Sequence, residues 1–272
     1  MQMRLDATNS YQALAAWLAG LESEVVFWKT WLETRGIEFP QDYARRTQRE
    51  VEFAYPSWIE GIAEPRILDV GAGLISKLGN KFGGGEIRLY ACDPLAPVYA
   101  SLLRHYGIHP YVKTEFALGE RLLDAYQEEY FDLVNITNAI DHSIDPLCIL
   151  WNMLSVCKTG GTVSMLHAKN EAVSGEYGGL HQWNVDIYEE KLFFWNKENK
   201  INVVDAIEGC AEISVCEHIG NSILVKIVKK SATLFPQPKT MLHSYDFFMA
   251  STAFLQLSPT FRALTENEKL VL

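Results

Sequence analysis

The chain contains the sequence Ile67-Leu68-Asp69-Val70-Gly71-Ala72-Gly73, in which an apolar run leads directly into a glycine-rich turn. The run predicts a buried strand, and glycines in the following turn let the backbone approach a bound ligand closely. We therefore expect a cofactor-binding loop formed by Gly71, Ala72 and Gly73.

Strand-like runs alternate with helix-length segments after this turn. The predicted strands are Arg66–Val70, Ile87–Cys92, Phe131–Thr137 and Thr162–His167. The predicted intervening helices are Leu95–Tyr106, Glu120–Gln127 and Pro146–Cys157. Two later strands, Glu212–Glu217 and Ser222–Val228, lie close enough together to form an antiparallel hairpin at the edge of the sheet. Since parallel strands need crossover connections, the pattern predicts an α/β fold with a doubly wound, mostly parallel sheet.

The length of 272 residues fits a single domain of this class. We expect residues 1–50 to form a helical N-terminal lid, because apolar residues recur there at helical spacing. Residues 60–230 would form the α/β core, and residues 231–272 a helical C-terminal tail that carries Phe247, Phe248 and Phe254.

Composition limits the partners and the compartment of the protein. The formal net charge is −10, so the surface should repel nucleic acid and anionic lipid, and we expect neither partner. The five cysteines show no C-x-x-C spacing of a zinc or redox site. No apolar run approaches the ~20 residues that span a bilayer, and no signal-peptide pattern is present, so a cytoplasmic location is expected.

A second acidic residue follows the next predicted strand, in Ala91-Cys92-Asp93-Pro94. Asp93 lies 24 residues after Asp69, and a carboxylate at this strand end can accept hydrogen bonds from both ribose hydroxyls of a nucleotide-like ligand. A dinucleotide fingerprint would need a third glycine at position 76, where the chain has Ser76. This departure argues against NAD.

The order Asp69-Val70-Gly71-Ala72-Gly73 resembles the first signature of class I S-adenosylmethionine (SAM)-dependent methyltransferases. The resemblance implies a Rossmann-like methyltransferase fold, SAM as cofactor and S-adenosylhomocysteine as product. It also implies that both glycines bind the methionine and ribose portions of SAM, that Asp69 helps to organise the loop, and that Asp93 and Pro94 lie at the ribose.

Three further segments are similar to this family, and the matches together cover about residues 65–168. Leu118 and Gly119 match the loop that flanks the adenine, although the usual acidic residue is missing at Leu118. Asn138 begins a segment that resembles the fourth strand end, with a histidine before an Asp-Pro helix start. Residues 157–161 resemble the K-P-G-G turn that precedes the fifth strand.

The candidate catalytic residues are histidines near the predicted strand ends. Because the methyl group of SAM is already activated, the protein mainly has to align the acceptor and remove its proton. His142 and His181 are the predicted bases, since the ordinary pKa of histidine is near 6.5. The string Gly179-Leu180-His181-Gln182-Trp183-Asn184 resembles, like Phe27–Gly36, a bacterial subgroup linked with surface-polysaccharide or small-metabolite modification.

The predicted substrate-binding residues are Tyr43, Arg46, His167 and Trp183, with Tyr43 and Arg46 reaching from the lid towards the SAM carboxylate or an anionic substrate. Asp141, His142, His167 and His181 could assemble a divalent metal site. Since no H-x-x-x-H or paired-carboxylate spacing supports such a site, no metal is predicted.

The sequence thus predicts a SAM-dependent methyltransferase that acts on an oxygen or nitrogen atom of a small polar or sugar-linked acceptor. Two alternatives stay open, a nucleotide-binding oxidoreductase of the NAD type and a non-catalytic SAM-binding protein. The oligomeric state stays open as well.

Overall fold

The computed structural model describes residues 7–232, 244–257, 259 and 262. The strands are β1 (Arg66–Val70), β2 (Lys81–Phe82), β3 (Gly85–Glu86), β4 (Arg88–Cys92), β5 (Thr114–Glu115), β6 (Phe131–Thr137), β7 (Cys157–Ala168), β8 (Asn184–Tyr188), β9 (Lys191–Trp195), β10 (Lys200–Asn202), β11 (Ala211–Ile219) and β12 (Ser222–Lys229). The α-helices are α1 (Ala7–Glu33), α2 (Pro40–Thr47), α3 (Ala96–His105), α4 (Pro146–Val156), α5 (Glu171–Ser174), α6 (Val203–Ala206) and α7 (Ser244–Leu257). Three short 3-10 helices are Pro56–Trp58, Gly119–Asp124 and Ile140–His142.

A seven-stranded sheet forms the centre of the molecule, in the order β11-β12-β7-β6-β1-β4-β5. Strands β5, β4, β1, β6 and β7 are parallel to one another, and β12 is antiparallel to both of its neighbours. Ile67, Leu68 and Val70 of β1 are almost fully buried, as a central strand covered on both faces requires. The predicted doubly wound sheet with an antiparallel edge hairpin is confirmed.

The helix predicted over Glu120–Gln127 is replaced by the short 3-10 segment Gly119–Asp124. Arg121 has φ −139° and ψ 37°, which breaks the helical path after Glu120. By contrast, α4 begins at Pro146 as predicted, because the Asp145 carboxylate accepts hydrogen bonds from the backbone N–H groups of Leu147 and Cys148, both at 3.0 Å.

Two small sheets were absent from the sequence prediction. One is the hairpin of β2 and β3, and the other has the order β10-β9-β8. The turn between β8 and β9 is made by Glu189 and Glu190, both with positive φ. The segment that precedes β8 carries His181 to Asp141, just after the C-terminal end of β6.

The long helix α1 packs through one apolar face against α3, α7 and the segment that follows the glycine turn. Trp17, Leu21 and Trp28 of this face are buried and belong to one cluster with Leu74 and Tyr99 of the core. Phe247 of α7 joins the same cluster, with its ring centroid 4.6 Å from that of Trp17. Among the described residues, no helix combines the length and apolarity needed to cross a membrane.

Gly20 sets the distance between α1 and the segment before β8. A Cβ atom at this position would lie 2.4 Å from the carbonyl oxygen of Gly179, far inside van der Waals contact. The helix therefore approaches the backbone of residues 179–180 directly.

We predict that Gly20→Ala lowers the free energy of unfolding by about 1–3 kcal/mol, as overpacking does. The sign of this change is informative, because a Gly→Ala substitution in a helix interior without such a contact should raise the free energy of unfolding by about 1 kcal/mol. Urea denaturation followed by circular dichroism measures the change, with Thr30→Ala on the exposed side of α1 as the control. A Gly20→Ala protein as stable as the wild type would contradict the close approach.

Candidate active site

A cleft with about 590 Å³ of open space lies at the C-terminal ends of β1, β4 and β6. A concave position at the strand ends of an open α/β sheet is typical of small-molecule and cofactor sites. Predicted site residues in its wall are Gly71, Asp93, Pro94, Leu118, Gly119 and His142. Helices α1 and α7 close the cleft with Trp17, Glu24 and Phe247.

The glycine turn after β1 forms one wall of the cleft. Gly71 has φ +61° and Gly73 has φ +65°, a region that favours glycine. A Cβ atom at Gly71 would lie 2.5 Å from the Cβ of Ala139, and one at Gly73 would lie 2.6 Å from the Trp28 ring. Both glycines are therefore required by local packing as well as by backbone conformation.

Asp69 stabilises this turn from the side that faces the protein interior and does not line the cleft. Its buried carboxylate accepts hydrogen bonds from Ser76 Oγ at 2.6 Å and from Asn135 Nδ2 at 2.7 Å. Burial raises the pKa of this carboxyl. Ser76, the residue that departs from the dinucleotide fingerprint, thus holds the far end of the turn to Asp69.

Asp93 lies in the cleft wall and joins the ends of β1 and β4. Its carboxylate accepts hydrogen bonds from the backbone N–H of Gly73 at 3.1 Å and of Leu95 at 2.8 Å. The side chain is buried, and burial raises its pKa from 3.8 to about 7.

The loop after β5 contributes Leu118, Gly119 and Glu120 to the cleft. The acidic residue that is missing at Leu118 is found two positions later, at Glu120. Its carboxylate accepts a hydrogen bond from the backbone N–H of Ile144 at 2.9 Å, and burial raises its pKa to about 7. Glu120 therefore holds the segment that precedes α4 against the cleft.

A cluster of one carboxylate and three histidines lies at the end of the cleft where β6 terminates. Asp141 is buried, and its two oxygens contact His181 Nδ1 at 2.6 Å and His167 Nε2 at 2.8 Å. His142 Nε2 lies 3.3 Å from the same nitrogen of His181. The histidines hold the pKa of Asp141 well below its ordinary value, despite burial, and the carboxylate raises the pKa of His181.

His167 is fully buried and structural. Its Nε2 faces Asp141, and its Nδ1 lies 2.7 Å from the carbonyl oxygen of Ala168. Each ring nitrogen thus faces an oxygen atom, and although burial lowers the pKa of His167, its hydrogen bond with Asp141 raises that pKa above the ordinary value. The structure therefore places His167 behind Asp141, where it cannot contact a substrate as the sequence suggested.

Trp183 and the lid residues also lie away from the cleft. Trp183 is buried in the main core, since β8 packs against the central sheet. Tyr43 packs on Trp31 with ring centroids 4.8 Å apart. Arg46 donates to the carbonyl oxygens of Ala72 and Ile75 and to Asp42, so its guanidinium supports the glycine turn instead of reaching a substrate.

Two further predicted cofactor residues have backbone roles. Ala72 is buried and donates its N–H to the carbonyl oxygen of Cys92 at 3.0 Å. Asn138 is exposed with φ +45°, and its Oδ1 accepts from the backbone N–H of Ala168 at 2.9 Å. Neither side chain belongs to the cleft wall.

Sequence reasoning missed Glu24 and Tyr99 as cleft residues. Glu24 lies on the apolar face of α1 between Leu21 and Trp28, and its carboxylate accepts a hydrogen bond from Trp28 Nε1 at 2.7 Å. An acidic residue within an apolar helical stripe is a detectable signal. Tyr99 carried no such signal, because it is one of several apolar positions in α3.

The chain matches no protein-family profile and no curated protein sequence. It is similar in structure to a SAM-dependent methyltransferase from Mesorhizobium loti, with 13% identity, a TM-score of 0.41 and coverage of 64% of this chain and 95% of that chain. A SAM-dependent methyltransferase from Aquifex aeolicus has 16% identity, a TM-score of 0.39 and coverage of 65% and 90%. The T. thermophilus 16S rRNA N2 G1207 methyltransferase has 13% identity, a TM-score of 0.40 and coverage of 68% and 39%.

We predict that the unfolding free energy of Asp93→Asn, measured relative to that of the wild type, increases as pH rises, whatever constant cost the lost carboxylate oxygen adds at every pH. The folded-state pKa of about 7 exceeds the ordinary 3.8, so the wild type loses stability as pH rises between these values. Asparagine does not titrate, and the difference in unfolding free energy should increase by about 2 kcal/mol from pH 5 to pH 8.

Urea unfolding at both pH values measures this difference. The exposed Asp205→Asn serves as a matched control that should show no such trend. An Asp93→Asn difference that is independent of pH would contradict the burial-driven shift.

Proposed function

We propose that the protein is a SAM-dependent methyltransferase that acts on a small polar acceptor. The observation that carries this proposal is the charge of the cleft. Three carboxyl-bearing residues, Glu24, Asp93 and Glu120, line it, and no lysine or arginine is found in its wall among the described residues. SAM carries a sulfonium, an ammonium and a single carboxylate group and is a net cation, so this lining favours it over an anionic cofactor.

The residues present fit the cofactor. Gly71 and Ala139 both line the cleft and approach so closely that a side chain at Gly71 would clash with Ala139, and Asp93 presents a buried carboxylate with a raised pKa to the same space. Each Asp93 oxygen already accepts one backbone N–H and keeps a further lone pair for a ribose hydroxyl. Leu118 and Gly119 would flank the adenine on the opposite wall.

The same lining argues against the NAD-type alternative. A pyrophosphate in this cleft would face three carboxyl groups and no cationic side chain of the described residues. A helix N-terminus alone would then have to compensate the charge.

When bound, SAM supplies an electrophilic methyl group. The protein has to exclude water and to position an acceptor atom whose proton is removed. His142 forms part of the cleft wall, and His181 is fixed behind it by its 2.6 Å contact with Asp141. We assign the activation of the acceptor to these two histidines, with Asp141 as the residue that positions His181.

A small acceptor that is methylated on an oxygen or nitrogen atom agrees with a cleft whose walls include helices α1 and α7. Trp17 and Leu180 contribute to its walls, and the net charge of −10 opposes binding to nucleic acid. RNA is the alternative acceptor class to test against a small molecule, since 16S rRNA is named as the substrate of the T. thermophilus enzyme.

The cofactor assignment predicts micromolar or tighter calorimetric binding of SAM and S-adenosylhomocysteine, with no binding of NADH. Gly71→Val should weaken SAM binding at least about tenfold, because its side chain would project against Ala139. Gly61→Ala is the matched control, since Gly61 also has positive φ but has no atom within 4 Å of the added Cβ. Binding of NADH in preference to SAM would refute the assignment.

The acceptor assignment predicts that label from methyl-labelled SAM enters the small-molecule fraction of a cell extract and not its RNA. His181→Ala and His142→Ala should each lower this transfer by about 10²–10⁴-fold if they activate the acceptor. His218→Ala, on the exposed hairpin strand β11, is the control. Transfer into RNA would exclude a small acceptor, and binding of SAM without any transfer would favour a non-catalytic SAM-binding protein.

A further inference from the structure

Three ligand-type atoms converge at the end of the cleft. They are Asp141 Oδ2, His142 Nε2 and His181 Nδ1, from the 3-10 helix after β6 and from the segment before β8. The oxygen lies 2.6 Å from the His181 nitrogen and 3.7 Å from the His142 nitrogen, and the two nitrogens are 3.3 Å apart.

Two sides of this triangle match the distances between neighbouring ligands of one metal ion. Nitrogen and oxygen ligands bind Zn²⁺ at about 2.0–2.2 Å, which places neighbouring ligands of a tetrahedral ion roughly 3.4 Å apart. The separations of 3.3 and 3.7 Å are close to this value, whereas the 2.6 Å contact between Asp141 and His181 is a hydrogen bond that has to lengthen when an ion replaces its proton. An ion between the three side chains would contact all three atoms, whereas a proton shared by Asp141 and His181 leaves His142 out.

We propose that Asp141, His142 and His181 form a binding site for a divalent transition-metal ion, with Zn²⁺ as its representative. Two imidazoles and one carboxylate favour ions of the Zn²⁺, Co²⁺ and Ni²⁺ class over Mg²⁺ and Ca²⁺, which prefer oxygen ligands.

The ligands are held in place by contacts that do not involve the ion. The backbone N–H groups of Gln182 and Trp183 donate to the carbonyl oxygen of Asp141 at 2.9 and 3.1 Å, which fixes the His181 segment against the 3-10 helix. The second carboxylate oxygen of Asp141 is occupied by the buried His167 at 2.8 Å, so Oδ2 is directed towards the other two histidines. Such outer contacts orient the ligands of metal sites.

Because His142 lines the cleft, an ion bound to it would lie at the cleft wall. Coordination positions of the ion that no side chain occupies would then face the cleft. A metal ion lowers the pKa of a water or hydroxyl group that binds to it. An ion at this site would therefore orient an acceptor hydroxyl group and ease the loss of its proton. Only this role rests on the proposed methyltransferase function, because the site itself is defined by the three side chains.

The test is calorimetric titration of tag-free, chelator-treated and dialysed protein with ZnCl₂ and, separately, with MgCl₂. We expect one Zn²⁺ per chain and no comparable binding of Mg²⁺. His142→Ala and His181→Ala should each weaken Zn²⁺ binding at least about tenfold, as loss of one ligand requires. His218→Ala should bind as the wild type does.

Circular dichroism is used to check that each variant folds. If an alanine variant does not fold, the glutamine variant of the same residue, His142→Gln or His181→Gln, is tested instead. Anomalous scattering at the zinc edge from a crystal grown with Zn²⁺ should place the ion between the three side chains. Absence of stoichiometric Zn²⁺ binding, equal affinity in all variants, or an ion located elsewhere would each overturn the inference. SAM titration of the same metal-free preparation tests the cofactor assignment separately.

Discussion

The arrangement of the cleft depends on one hydrogen bond, from the backbone N–H of Gly73 to the buried carboxylate of Asp93. This contact joins the turn after β1 to the end of β4 and fixes the shape of the cleft wall. The glycine turn can adopt this geometry because Asp69 and Ser76 hold it on the other side. Loss of the Asp93 carboxylate would leave a buried donor without its partner, which is costly in a low-dielectric interior.

Much of the fold could be predicted from the sequence because its signals are local. β1 and β6 were predicted at their observed bounds, since each is a mainly apolar segment followed by a turn or by polar residues. The β8–β9 hairpin escaped prediction because its turn is formed by Glu189 and Glu190 with φ of 48° and 61°. Such conformations normally use Asn and Gly, so the usual hairpin signal was absent.

The candidate site was predictable in part for the same physical reason. The glycine turn and Asp93 lie at strand ends, and the topology of a parallel sheet brings strand ends together. Arg46 and Trp183 could not be placed in this way, because tertiary contacts direct them to the carbonyl oxygens of the turn and to the core. The contact between Asp141 and His181 joins residues 40 positions apart, through a loop that carries no motif for this pairing.

The electrostatics of the cleft link its two ends. Burial raises the pKa of Asp93 and of Glu120 to about 7, so an empty cleft holds two carboxyl groups that are partly protonated near neutral pH. A cationic ligand favours their ionised forms, and binding would therefore release protons and strengthen as pH rises through this range. At the other end, the histidines hold the pKa of Asp141 well below its ordinary value despite its burial. The cleft wall thus presents carboxyl groups without a cationic partner, Asp93 and Glu120, to the space where the sulfonium of SAM is proposed to bind.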